Sequence, residues 1–465
     1  MKDMHLTRRA FLAATTLSAA AVATGGKTLV NAAEVVPGAV SPNETVNIGL
    51  IGLGGRCRHL AQTCARIPNV HIAAICDCFR PRIDGFMDLQ PEGQTWNQYV
   101  DFREMIEREN LDGVMVITTT HARAWVTCQA MAAGMDVYIE KPMCLTIAEG
   151  REMVRQARSY DRVTQVGTQQ RSTPLNNWAS DLVKNGAIGQ VKQVLAPDFF
   201  GPRDWTPKPG QDMPEGGDEN WWDVWTNQAE FRPYHRDLHL SWSTWRAYDG
   251  GGMSFGVTGW GTHSYDQIQR GLGTDETGPV AITLEEPVAE RPGGEFEERE
   301  YGPDETGAPF YHMIHGQSGL RAKVRMKYAT GTELLLHLDA DRGPGLGCIF
   351  VGENGRIEIN RDRIAADPKE LIEGPDRPEP LAAQDLWESQ THIEDWVRCI
   401  KTREKCTADI EYGQRSSTLC YLVNIARDLG RVDETLHWDP AAERFTDSDE
   451  GNAMLSRPRR PGYEL

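Results

Sequence analysis

The chain has 465 residues, 40% of them hydrophobic and 25% charged, with a net charge of −18. That length is more than one core usually sustains, so two domains are expected in an ordinary soluble protein. The acidic excess excludes the basic surface that phosphate backbones require, so nucleic acid is not an expected partner.

The chain opens with paired arginines in TRRAFL (Thr7 to Leu12), an apolar run, and a small-residue site at VNAA (Val30 to Ala33). This reads as a twin-arginine export signal over residues 1–33, followed by a linker over 34–44. The run is too short to span a bilayer, so no membrane span is expected. The expected location is therefore periplasmic or otherwise exported. Export of an already folded chain allows a cytoplasmic cofactor to be loaded first. The ten cysteines are scattered with no C-x-x-C pair, so most are expected to be free and buried.

From residue 45 the pattern becomes strand, glycine turn, helix, strand, acid. Val46 to Ile51 is a continuous apolar strand, Gly52, Gly54 and Gly55 make the turn, and a helix is expected over Arg58 to Arg66. A second strand ends at Asp77, 23 residues after Gly54. This is a dinucleotide-binding pattern. Gly52 permits the tight turn and Gly54 lets the backbone approach the pyrophosphate at the helix N-terminus. Asp77 can accept from the ribose hydroxyls. Cys57 stands where a third glycine is usual. Asp77 repels a 2′-phosphate and favours NAD, while Arg80 and Arg82 close behind leave NADP open.

The alternation continues through a strand over Leu111 to Thr120, a helix closed by Gly134, and the strand of DVYIEKPM. Ligands bind beyond the carboxyl ends of such strands, which directs Thr118 to His121 and Glu140-Lys141-Pro142 at one site. A dinucleotide domain over 45–168 follows, with a second domain over 169–440 and a tail over 441–465 packing on both. Arg56, Thr119, Thr120, His121, Glu140, Lys141, Pro142 and Gln169 join Gly52, Gly54, Gly55 and Asp77 as candidate cofactor residues. In the second domain, the stretch from Glu219 to Gly252 is rich in Trp, Tyr, Arg and His and reads as pocket wall rather than a regular element. Arg232, Tyr234, His235, Trp245 and Arg246, with Arg171, are its candidate substrate contacts. His235 and His239 are four apart, but no helical pattern or carboxylate set accompanies them, and no metal is expected. Residues 285–309 read as an exposed loop. Alternating segments from Gly319 onward predict antiparallel strands with a hairpin at ENGR, and THIEDWVRCIKTREK and STLCYLVNIARDLGR predict amphipathic helices.

The chain resembles the Gfo/Idh/MocA oxidoreductases, which include glucose–fructose oxidoreductase and the inositol dehydrogenases. IGLIGLGGR, YIEKPM, VGTQQRS, NWWDVWTNQAEFRPYH, GGGMSFGVTGWGTHSYD, HIEDWVRCIKTREKC and the residues from His437 onward carry the resemblance in family order. It implies a Rossmann domain followed by an α/β domain with a large, mostly antiparallel open sheet. It also implies homo-oligomers, dimers or tetramers. Lys141 matches the lysine that lies near the nicotinamide and the substrate hydroxyl. His263 matches the histidine of D-x-x-x-H, but Gly259 holds the aspartate position. Arg123 stands where the family more often has histidine. Asp266, three residues beyond His263, is the candidate substitute that orients it.

The implied activity is nicotinamide-dependent oxidation or reduction of a hydroxyl on a sugar, cyclitol or glycoside, with Lys141 and His263 handling the proton. The periplasm holds no free NAD pool, which calls for a tightly retained cofactor. One alternative is an NAD-dependent glycoside hydrolase or lyase that oxidises transiently, eliminates and reduces back. Another is a non-catalytic sugar-binding protein of the same fold.

Overall fold

The computed structural model describes residues 45–91, 93–252, 255–291, 319–338, 346–361, 363–381 and 390–465. The expected export signal and linker, and most of the expected loop over 285–309, lie outside the described residues.

Six strands form the first sheet: β1 (Val46–Ile51), β2 (Val70–Cys76), β3 (Asn97–Tyr99), β4 (Gly113–Val116), β5 (Asp136–Ile139) and β6 (Thr164–Val166). Their order is β3-β2-β1-β4-β5-β6, and every pairing is parallel. That is the doubly wound dinucleotide order, in which the order of succession reverses between β1 and β4 while all strands stay parallel. Helices α1 (Gly55–Cys64), α2 (Arg80–Met87), α3 (Phe102–Arg108), α4 (Thr120–Ala132) and α5 (Ile147–Ser159) make the crossovers. β1 matches its expected bounds, whereas α1 starts three residues earlier than its apolar pattern, because the glycines themselves open the helix.

The second domain begins with α6 (Pro174–Lys184) and β7 (Val191–Pro197). The Trp-rich stretch then holds two short helices, α7 (Trp221–Thr226) and α8 (Arg236–Leu240), before α9 (Trp260–Leu272). Irregular wall was expected there. The helices exist because Trp221, Trp222, Trp225, Tyr234, Leu238 and Tyr248 bury one another in a separate aromatic core, a contact pattern with no sequence period. The remaining strands are β8 (Pro279–Leu284), β9 (Ala289–Arg291), β10 (Gly319–Arg321), β11 (Val324–Tyr328), β12 (Glu333–Leu338), β13 (Cys348–Gly352), β14 (Arg356–Ile359), β15 (Ile364–Asp367), β16 (Thr435–Asp439) and β17 (Arg444–Phe445). Nine of them with β7 counted form one sheet, β15-β14-β13-β7-β12-β11-β8-β16-β17. Only β7 and β12 pair in parallel within it.

Helices α10 (Gln390–Thr402), α11 (Ile410–Leu429) and α12 (Asp449–Ala453) complete the chain. α10 lies inside the expected second domain by sequence, yet its Ile393, Trp396, Val397 and Ile400 share the core of β1 and α1. The second domain thus reaches back to cover the dinucleotide sheet. All ten cysteines are unpaired; nine are buried and Cys78 is half-buried. Among the described residues no helix is long and apolar enough to cross a membrane.

Candidate active site

The strand ends of the first sheet open into a cavity of about 850 Å³ whose far wall belongs to the second domain. Its floor is the glycine turn. Gly52 has φ +91°, and a Cβ there would stand 2.8 Å from the backbone of Ile117 and Thr118, so only glycine fits. Gly54, the N-cap of α1, and Gly55 face open space, with no atom within 4 Å of a built Cβ. That is a cradle for a bulky anion at a helix N-terminus. Asp77 ends β2 beside it, its carboxylate accepting from the N–H of Leu53 (2.9 Å) and of Phe79 (3.0 Å). The acid therefore also ties the turn in place. Gly52, Gly54, Gly55, Arg56, Asp77, Thr119, Glu140, Lys141, Pro142 and Gln169 all line the cavity, as a dinucleotide requires. Arg82 lines it too.

Two expected cofactor residues do not line it. The Thr120 hydroxyl is turned to Asp249, and His121 is sealed in the aromatic core, its Nε2 2.8 Å from the carbonyl of Trp225. Burial pushes its pKa down to about 4. Arg123 is buried under the site, donating to the carbonyls of Pro142 and Thr118 and bracing the β4 and β5 ends together.

The reacting end is built around Lys141. Glu140 is buried and holds Arg56 at 2.7 Å through one oxygen and the Lys141 N–H at 2.7 Å through the other. Burial opposes its ionisation, but Arg56 and Lys141 outweigh this and hold Glu140 below the usual carboxylate range. Lys141 Nζ donates to the carbonyl of Gly259 at 3.1 Å. Desolvation is the largest influence on that ammonium and draws its pKa down, Arg361 adding to the effect and Glu140 opposing it. His263, on the first turn of α9, faces the same cavity. Its Nδ1 is buried and has no hydrogen-bond partner among the described residues. Burial first, then Arg361 and Lys141, push it well below the ordinary imidazole value, so the ring is neutral.

Asp266 does not orient His263. One of its oxygens accepts from Arg171 Nε at 2.7 Å and the other from Ser416 Oγ at 2.8 Å, and Asp266 does not line the cavity. Arg171 is correspondingly a structural ion, also bonded to Asp275 at 2.6 Å and 1% exposed, not a substrate contact. The other expected substrate residues are also committed elsewhere. Arg232 pairs with Glu230, and Arg246 with Asp204 (2.8 Å) and Asp428 (2.6 Å). Trp245 Nε1 donates to the Asp237 carbonyl at 2.9 Å, and His235 caps α8 by accepting the Asp237 N–H. Tyr234 packs in the aromatic core and lines only a smaller neighbouring cavity. Aromatic content located the wall, but the faces turned to the cavity are those of Trp225, His239, Trp242 and Trp260, with Leu346 and Arg361.

Asp249 was missed. It is fully buried, lines the cavity, and accepts from Thr120 (2.5 Å) and Thr258. An acid directly before Gly250-Gly251-Gly252 was its only sequence signal. Residues 457–465 close the other end. Gly462 and Tyr463 line the cavity, and Tyr463 meets Trp125 edge-on at 5.0 Å. Arg459 reaches Glu149 and Arg460 reaches Asp223, each at 2.6 Å.

Comparison with known proteins agrees with this architecture. A model described as oxidoreductase family, NAD-binding Rossmann fold, matches residues 46–168. Its companion, the C-terminal alpha/beta domain, matches 191–293 and 315–465. An inositol 2-dehydrogenase of Salmonella typhimurium is 25% identical over 156 residues, 32% of this chain and 45% of that protein. A glycosyl hydrolase family 109 protein of Porphyromonas gingivalis is 31% identical over 112 residues, 23% of this chain and 24% of its own length. The chain thus spans less than half the length of these curated relatives. A solved oxidoreductase from Agrobacterium radiobacter, in complex with NAD+, L-tartaric acid and magnesium, shares the fold. Its TM-score is 0.54 at 15% identity, covering 84% of this chain and 98% of that one.

Proposed function

Because the chain belongs to the Gfo/Idh/MocA oxidoreductase family, we propose that it is an NAD-dependent oxidoreductase acting on a hydroxyl of a sugar, cyclitol or glycoside. One observation carries this reading: Lys141 and His263, from different domains, face one cavity whose floor is the dinucleotide turn. Bound NAD supplies a hydride acceptor there. The chain's own residues supply position and proton transfer. Lys141, drawn below its ordinary value by desolvation, is the group suited to take the hydroxyl proton. His263, neutral and with a free buried nitrogen, is too weak a base for that task and fixes the substrate by a hydrogen bond. The aromatic wall from Trp225 to Trp260 offers flat apolar faces to a sugar ring.

The segment of Gly462 and Tyr463 lining one end of the cavity supports a retained cofactor, as does the proposed twin-arginine export of the folded chain. An oligomer, dimer or tetramer, is proposed on the same family grounds. A second reading, redox-assisted glycoside cleavage, is favoured by the family 109 relative and by a retained cofactor, since hydride must return within one cycle. Purification of the chain, absorbance for bound nicotinamide, and incubation with sugars, cyclitols and aryl glycosides test both. Net oxidised product supports the first reading and aglycone release without net redox the second. Absence of bound nucleotide overturns both.

A further inference from the structure

Four carboxylates line the cavity: Asp77, Asp101, Glu140 and Asp249. Asp77 is held by backbone amides, Asp101 by Arg103 at 2.6 Å, and Glu140 by Arg56 at 2.7 Å. Asp249 alone is fully buried with neither a guanidinium nor an ammonium hydrogen-bonded to it among the described residues. It is clamped by two hydroxyls, Thr120 from the first domain and Thr258 from the second. The glycines after it leave the room. A Cβ on Gly250 would stand 2.6 Å from the Thr258 methyl, and one on Gly252 2.6 Å from Asp249 Oδ1. Burial raises the Asp249 carboxyl above its ordinary value, and the Thr120 and Thr258 hydroxyls, Arg123 and Lys141 all act against that rise, so the cations of the cavity are what favour its charge.

We propose that Asp249 is the positioning carboxylate of Lys141, stabilising the ammonium that forms when Lys141 takes the hydroxyl proton. A side chain at Gly259 cannot do this, since Gly259 offers only its carbonyl. The inference rests on the oxidoreductase reading of the site. The charged groups facing Lys141 are Glu140 beside it, Arg123 from α4, Asp249, and Arg361 after β14. Glu140 is already matched by Arg56. Asp249 is therefore the second carboxylate that offsets Arg123.

Reductive methylation with ¹³C-formaldehyde gives each lysine of the full chain an NMR signal, and Lys141→Arg identifies that of Lys141. In Asp249→Asn the Lys141 titration midpoint should fall by a unit or more, about tenfold in proton affinity. Asp249→Ser, which keeps a polar partner for the clamp, should do the same, and Asp249→Glu should restore most of the shift. An unchanged midpoint in either folded variant overturns the proposal. If both variants fail to fold, the carboxylate is a structural clamp and the proposal also falls. The midpoint is read without substrate turnover. Absent nucleotide in the wild-type protein would thus sink the oxidoreductase reading separately.

Discussion

The ammonium of Lys141 is hydrogen-bonded to the backbone carbonyl of Gly259, across the junction of the two domains, at 3.1 Å. Gly259, which has no side chain to offer, contributes to the site through its main chain. Lys141→Met should retain nucleotide and the wild-type melting temperature while turnover falls at least about a hundredfold, the usual contribution of a positioned proton-transfer group. Absorbance of bound nicotinamide beside a rate assay checks this; unchanged turnover would remove Lys141 from the chemistry.

The two glycines of the turn should separate stability from binding. Gly52→Ala forces a positive φ and a backbone clash, and should cost about 1–3 kcal/mol together with nucleotide binding. Gly54→Ala meets no protein atom, so thermal unfolding of the nucleotide-free protein should be unchanged while nucleotide affinity drops. Equal melting losses in both variants would contradict the assignment of the cradle.

His121, His239 and His392 are each held down to about 4, chiefly by burial. In the unfolded chain they protonate near 6.5. The unfolded state therefore binds more protons as pH falls from about 6.5 to about 4, and each group removes on the order of 3 kcal/mol of stability across that window. His239→Phe, which suits the aromatic surroundings of Trp221 and Trp225, should flatten the fall of melting temperature between those pH values. An unaltered slope would show that His239 does not titrate differently on folding.

Asp266 and Arg171 are each 1% exposed and bonded at 2.7 Å. Asp266→Asn leaves the guanidinium with Asp275 alone, and should destabilise the fold by on the order of 3 kcal/mol. Turnover per folded molecule should stay at the wild-type level. A stable variant with lost turnover would return Asp266 to the chemistry.

Arg460 fastens the segment carrying Gly462 and Tyr463 to Asp223. Arg460→Ala should speed release of bound nucleotide several-fold, measured by stopped-flow fluorescence, with the fold intact. An unchanged release rate would show that the segment does not retain cofactor.

The dinucleotide half was readable because its signals are local. A strand buried on both faces is a continuous apolar run, and β1 ends where that run ends. The hairpin at ENGR was equally legible, with the N–H of Gly352 donating to the carbonyl of Gly355 at 2.9 Å. Helix α11 starts at Ile410, seven residues before its expected start at Ser417, because the Asp409 cap and polar first turns carry no apolar period.

What the sequence determined by itself was the order of elements, the glycine turn, and the candidacy of Lys141 and His263, since each follows from neighbours along the chain. Tertiary structure alone decided which charges face the cavity. Arg171, Arg246 and Asp266 suited a site by residue type, yet each is satisfied by an ion pair with a residue far away in the chain, while Arg232 is taken by its neighbour Glu230. Asp249 drew no reading from the sequence, yet two threonines from different domains converge on it. A buried charge must find its partner in space, and that partner is chosen by packing between domains, which leaves no periodic trace in the chain.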